Sequence, residues 1–262
     1  MTRIEQISFL NSILLKEMPR YREWAKQFPA EEIQQRKLLW GLMNMRPPTP
    51  LNAEFIAVQD ALLYDELREK GVVDVDTLPA SSEPRMIVWQ GDITRLAADA
   101  IVDADNSALL GCFYPCHGCI DNAIHSAAGL QLRDECKRLM QAQGHEEPVG
   151  NAKITGAYNL PSRYVIHTVG PIVQGRLTKN DCEALQSCYR ACMELALQKG
   201  LRSIAFCCIS TGEYHFPNRE AAQIAVATVK DILNRDGSGM KVIFNVFKDI
   251  DRQIYNELLC GD

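Results

Sequence analysis

A chain of 262 residues with a formal net charge of −5 and no Lys/Arg-rich run lacks the clustered positive charge that a groove for DNA or RNA depends on. Apolar residues make up 47%, which suits a globular protein, and no run of 18 or more apolar residues occurs, so no membrane span is expected. Glu5, Asn11 and Lys16 interrupt the N-terminal apolar pattern, which argues against a signal peptide; ten cysteines then read as metal ligands or reduced core thiols, and the cytoplasm is the expected compartment.

The first 70 or so residues read as helices. Ile4, Ile7, Leu10, Ile13 and Leu14 recur at helical spacing, as do Phe55, Val58, Leu62 and Leu63. Arg46-Pro47-Pro48-Thr49-Pro50 must break the pattern, and Gly71 stands where a helix would end. After the loop Ser81-Ser82-Glu83-Pro84, strand and helix signals alternate. Strands are predicted at Met86–Trp89, Ala100–Ala104, Lys153–Thr155, Tyr164–His167, Ile204–Ile209 and Val242–Val246. Helices are predicted over Asp121–Gln143, Asp181–Lys199, Arg219–Asn234 and Asp249–Leu259. The alternation predicts an α/β layer with a largely parallel sheet, whose ligands sit at the carboxyl ends of the strands.

Three segments follow predicted strands and are rich in turn residues: Gln90-Gly91-Asp92-Ile93-Thr94, Asp105-Asn106-Ser107, and Ser210-Thr211-Gly212-Glu213-Tyr214. Each alone is an ordinary βα turn with capping residues; at one rim of a parallel sheet they would converge. Gly212 stands among hydroxyl residues, where backbone N–H groups can surround a phosphate. Neither G-x-x-x-x-G-K-[ST] nor G-x-G-x-x-G after a strand occurs, which weakens a nucleotide kinase or dehydrogenase reading. Between Cys112 and His125 lie Cys112, Cys116, His117, Cys119, Asp121 and His125. Thiolate and imidazole are the ligands zinc prefers. The competing reading, buried or redox cysteines, sits poorly with such density beside histidine in a Gly/Pro loop. His125, on the predicted helix, and His167, at a strand end, read as satisfied structural histidines. Cys188, Cys192, Cys207 and Cys208 read as core.

Taken together, Gly91-Asp92-Ile93-Thr94, Ala98 through Asn106, Ile120 through His125, Val165-Ile166-His167-Thr168-Val169-Gly170-Pro171 and Ile209-Ser210-Thr211-Gly212 resemble the macrodomain family from about Val73 to the C-terminus. The interruption Gly111–Cys119 and the helical N-terminal extension are similar to its zinc-dependent subclass of ADP-ribosyl hydrolases. The resemblance implies a three-layer α/β/α macrodomain at 73–262, with a mixed, largely parallel sheet, behind a helical extension at 1–72. It implies that Asp92 accepts a hydrogen bond from the adenine amino group with Ile93 beside it, that Asn106 contacts the distal ribose, and that Ser210, Thr211, Gly212, Glu213 and Tyr214 wrap the diphosphate. Phe247 would pack on the adenosine half, Cys119 and Ile120 would border the substrate, and Asp121 would join Asn106 as a catalytic residue. One Zn2+ per chain would be held by Cys112, His117 and Cys119. Two thiolates and one imidazole leave the fourth tetrahedral position open, as catalytic zinc requires, whereas Cys116 as a fourth ligand would close it.

The expected activity is zinc-dependent removal of mono-ADP-ribose from modified protein side chains, with an ester to Asp or Glu as the expected linkage. The expected partners are ADP-ribose and a mono-ADP-ribosylated protein, with no nucleic acid and no membrane; the sequence sets no oligomeric state. Two rivals stand beside this: an ADP-ribose reader with a structural zinc, and an adaptor whose N-terminal helices recruit a partner. The plainer role for those helices is to cover an apolar face of the domain.

Overall fold

The computed structural model describes residues 1–260. The N-terminal segment forms α1 (Arg3–Glu17), a short α2 (Arg22–Ala25), α3 (Glu32–Met45) and α4 (Ala53–Lys70). Thr2 and Glu5 close a reciprocal capping box on α1, and Asn52 caps α4, which ends at Gly71 as its pattern predicts. The Arg46–Pro50 break joins α3 to α4; Arg46 is buried there, donating to Glu17 and to the carbonyls of Thr49 and Pro50.

The remaining elements are β1 (Val73–Asp74), β2 (Met86–Gln90), β3 (Leu96–Ala97), β4 (Ala100–Asp105), α5 (Ile120–Ala128), α6 (Leu130–Gln143), β5 (Ala152–Gly156), β6 (Tyr164–Val169), α7 (Lys179–Gln198), β7 (Ser203–Phe206), α8 (Asn218–Arg235), β8 (Lys241–Val246) and α9 (Asp249–Cys260). Six strands form one sheet in the order β2-β8-β7-β4-β6-β5, parallel except for the β5–β6 pair; β1 and β3 make a separate two-residue parallel ladder. The mixed, largely parallel sheet is thus as expected. His167 of β6 turns toward α5 and α6, while the adjacent Thr168 points the other way, beside Cys188 and Cys192 of α7. This alternation sets helices on both faces and gives the three layers. The central strands are buried on both sides, as expected for parallel strands roofed by helices.

Two expected elements differ. The helix predicted over Asp121–Gln143 is two helices, divided at Gly129. That residue has φ +92°, and a Cβ there would lie 2.6 Å from Gln59 Nε2, so the backbone turns where Gln59 of the extension packs against it. The strand predicted over Ile204–Ile209 leaves the ladder after Phe206; Cys207–Ile209 stay apolar and continue toward the 210–214 loop.

Two apolar cores are present. One fills both sides of the sheet; the other joins α1, α3 and α4 and includes Leu130 of α6. Polar contacts also lock the extension on. Gln59 Oε1 accepts the Leu130 N–H, and the Arg133 guanidinium donates to the carbonyls of Met43, Asn44 and Arg46 at the end of α3. Those carbonyls have no partner within the helix, so Arg133 completes it. Among the described residues no helix is long and apolar enough to cross a membrane.

Candidate active site

The loop between β4 and α5 brings Cys112, His117 and Cys119 together, with one ligand atom from each lying within 4.8 Å of the others. Cys112 Sγ is 3.6 Å from His117 Nδ1. Tetrahedral zinc with bonds of about 2.3 Å to sulfur and about 2.0–2.1 Å to nitrogen spaces such a pair by about 3.6 Å, so the donor set fits the ion. Cys119 also caps α5, its sulfur accepting the Asn122 N–H. Burial, then the neighbouring Cys112 and Asp121, raise the Cys119 thiol well above its usual range.

Cys116 stands apart from this group. Its φ of +56° turns the side chain onto α3, where the sulfur lies 3.5 Å from the Lys37 carbonyl and the N–H donates to Asn44 Oδ1. His117 Nε2 is 3.6 Å from Glu213 Oε1, which joins the Cys/His loop to the 210–214 loop.

The other expected residues fall around this junction. Asp92 caps a turn over Ile93–Arg95. Its Oδ1 accepts from the Thr94 N–H and hydroxyl, and its Oδ2 is 3.7 Å from Lys70 Nζ. Ile93 is buried beneath it, and Phe247 is exposed just beyond β8, its carbonyl accepting from Gln90. Asn106 spends its side chain on its own loop, donating to the Gly111 carbonyl and accepting the Ala108 N–H. Ile120 is half-buried at the start of α5. Ser210 is in the left-handed region (φ +64°) and buried, held by the close passage of Gly170, where a Cβ would lie 2.1 Å from Ser210 Oγ. The Tyr214 carbonyl accepts the Val173 N–H, and His215 N–H closes a turn on Gly212; Thr211, Gly212, Glu213 and Tyr214 form the accessible lip. Asp121 is buried at the start of α5, 5% exposed, with Oδ1 3.6 Å from His125 Nε2. Burial, then the Asp105 and Asp103 carboxylates, push it well above the usual carboxylate range.

Two features escaped the sequence reading. The first is a scaffold from α3: the Trp40 indole and Asn44 amide both donate to Asn122 Oδ1, and Asn44 also donates to Ser126. Asn122 in turn donates to the Tyr114 carbonyl within the Cys/His loop. No pattern within α3 marks these polar residues as partners of a loop some 70–80 positions away. The second is the environment of His125 and His167. Both are buried as expected, but His125 is not satisfied: neither ring nitrogen has a hydrogen-bond partner. A cavity of about 780 Å3 lies between the extension and the sheet domain and reaches the expected ligand cleft through Asp92 and Thr94.

Comparison with known proteins decides the family. A protein-ADP-ribose hydrolase of Treponema medium is 49% identical over 262 residues, spanning 99% of this chain and all of that one. The chain belongs to the macrodomain family. The family's sequence profile, the Macro domain, matches residues 102–225, from β4 into α8. A protein-ADP-ribose hydrolase of Staphylococcus aureus (strain MRSA252) is 50% identical over 227 residues, 86% of this chain and 85% of its own. A solved Trypanosoma brucei macrodomain in complex with ADP-ribose superposes with a TM-score of 0.64 at 30% identity, covering 80% of this chain and 91% of its own. In this macrodomain the expected ligand loops stand at the carboxyl ends of β2, β4 and β7, the rim where open α/β sheets bind ligands.

Proposed function

We propose that this macrodomain is a zinc-dependent hydrolase that releases mono-ADP-ribose from modified protein side chains, with esters of Asp or Glu as its linkage. The relatives that span the chain are named protein-ADP-ribose hydrolases, which supports the reaction class. One observation carries the metal role: two thiols and an imidazole converge in a loop tied to the 210–214 segment, while Cys116 is turned away on α3. A three-donor set leaves a fourth position for water or substrate.

The residues then divide the work. Asp92, with one carboxylate oxygen fixed by Thr94, presents the other to the adenine amino group, and Phe247 offers its exposed ring to the adenosine half. Ser210–Tyr214 receive the diphosphate. Binding energy from these distant parts orients the distal ribose, whose anomeric carbon carries the bond to be broken. Asn106 holds the loop over that ribose through Gly111, and Cys119 and Ile120 border it at the start of α5. Asp121, whose carboxyl is pushed above its usual range by burial and then by the Asp105 and Asp103 carboxylates, positions or deprotonates the nucleophile. When bound, zinc supplies Lewis-acid polarisation of a ribose hydroxyl, the acyl oxygen or an attacking water.

The test is ADP-ribose release from a protein modified on Asp or Glu, set against one modified on Arg, with and without chelator. The expected result is release from the Asp/Glu-linked substrate, abolished by chelation and restored by Zn2+. ADP-ribose binding without turnover in zinc-loaded protein sinks the hydrolase reading. Cys119→Ala is expected to lose metal and turnover while retaining affinity for free ADP-ribose; full activity in that variant without metal overturns the metal role.

A further inference from the structure

Beneath the Cys/His loop, the fold gathers a second set of donors. Asp103 and Asp105 lie two residues apart on β4, so both face the same side of the sheet, toward α5. His167 is the register partner of Asp103 on β6, and His125 comes down from α5. The four side chains are 0–3% exposed. His125 Nε2 is 3.7 Å from Asp103 Oδ2 and 3.7 Å from Asp105 Oδ2; His167 Nδ1 is 3.6 Å and 3.5 Å from the same two oxygens. None of these four atoms has a hydrogen-bond partner, and Asp103 Oδ1 and His125 Nδ1 also lack one.

These separations are too long for charge-assisted hydrogen bonds, which close to about 2.7–2.9 Å. The four separations of 3.5–3.7 Å fall at or just above the edge of a tetrahedron, since an ion bound to nitrogen and oxygen at about 2.0–2.2 Å spaces its ligands by about 3.3–3.6 Å. His167 Nε2 is engaged on its far side by Thr155 Oγ1, 3.0 Å away, so Nδ1 is the ring atom left facing the two carboxylates. A metal-ligating histidine normally has its other ring nitrogen held in this way. Cys136 reaches His167 only from the Nε2 side, at 3.7 Å. Arg133 is a neighbouring cation that feels Asp121 and Asp105, but its Nη1 donates to three carbonyls of the extension, and one guanidinium faces three carboxylates (Asp103, Asp105 and Asp121). Buried carboxylates without partners are costly, and a divalent cation compensates two of them.

We propose that Asp103, Asp105, His125 Nε2 and His167 Nδ1 form a second, buried divalent-metal site of the zinc type, distinct from the Cys112/His117/Cys119 set. Four protein donors close its coordination, which makes it a structural site. It clamps α5 to β4 and β6 and thereby sets the depth of Asp121 one turn before His125. It stands independently of the hydrolase reading.

The experiment is metal analysis of full-length protein expressed in zinc-supplemented medium and dialysed against metal-free buffer. Wild type is expected to carry two zinc equivalents per chain. The double variant Cys112→Ser/Cys119→Ser is expected to keep one, and Asp103→Asn/Asp105→Asn to lose one while keeping the thiolate-bound ion. If the asparagine pair fails to fold, the serine pair reloaded with Co2+ decides the matter: d–d absorption without a thiolate charge-transfer band supports the nitrogen–oxygen site. A serine pair that holds no metal overturns the proposal and leaves imidazolium–carboxylate pairing in its place. One equivalent in wild type that survives the serine pair upholds the buried site while removing the loop site, so the two assignments fail separately.

Discussion

Gly170 shows how little space a single residue of this cleft has to spare. Adding a methyl there places it against Ser210 Oγ, so Gly170→Ala is expected to displace the start of the 210–214 loop. Overpacking of this kind costs about 1–3 kcal/mol, and a thermal melt should show it together with weaker ADP-ribose binding. A variant with unchanged melting and affinity would separate Gly170 from the loop. At the other end, Asp92→Ala removes a charged acceptor from the proposed adenine contact. The expected loss of affinity for ADP-ribose is about ten- to a hundredfold by calorimetry, the range for a hydrogen bond to a charged group. Equal loss of affinity for ribose 5-phosphate would show that Asp92 acts on the fold and not on the base. His125 carries a lesson of the same scale. A lone histidine on a helix looks structural, and only the neighbours from β4 reveal that its Nε2 faces the Asp103 and Asp105 carboxylates, with His167 of β6 beside it.

At the scale of elements, α3 is the support on which the Cys/His loop rests. Asn44 bonds at once to Cys116, Asn122 and Ser126, and Trp40 reinforces Asn122. Asn44→Ala is therefore expected to loosen the loop around His117 and weaken the proposed zinc binding by about tenfold, the lower end of the loss when groups supporting metal ligands are removed. Competition against a chromogenic chelator measures it, and unchanged affinity would show that the loop holds its own shape. This support explains why the split at Gly129 was hidden. The helical pattern runs on through Leu130 and Leu132, and the turn exists because α4 presses Gln59 against the backbone there. The early end of β7 is similar: Cys207–Ile209 are apolar enough for a strand, but they are buried while turning toward the loop, and burial alone does not specify pairing.

At the scale of the whole molecule, the extension and the macrodomain have separate cores but share polar joints. Arg133 is the main one. Burial lowers its guanidinium to about 10, and Nη1 satisfies three carbonyls at the end of α3. Arg133→Met removes those bonds without removing the bulk. It is expected to cost about 2–4 kcal/mol, because buried carbonyls lose their donors. Urea unfolding followed by tryptophan fluorescence and circular dichroism should then show the extension leaving first. A single coincident transition with the wild-type midpoint would rule out that coupling.

The sequence by itself determined the alternation of strands and helices, the end of α4 at Gly71, and the loop residues able to act as ligands, since periodicity, helix stops and donor chemistry are local properties. The parallel-sheet pattern already brought the three turn-rich loops to one rim; the resemblance to macrodomains added their expected ligand roles, and the relatives that span the chain agree with that family. Only the tertiary structure decided that Cys116 turns onto α3, that Asp121 lies inward, and that Asp103, Asp105, His125 and His167 meet. The reason is physical: a side chain's partners depend on strand register and helix docking, which bring together residues distant in the chain, such as Asp103 and His167, and leave no mark on the stretches of sequence around them.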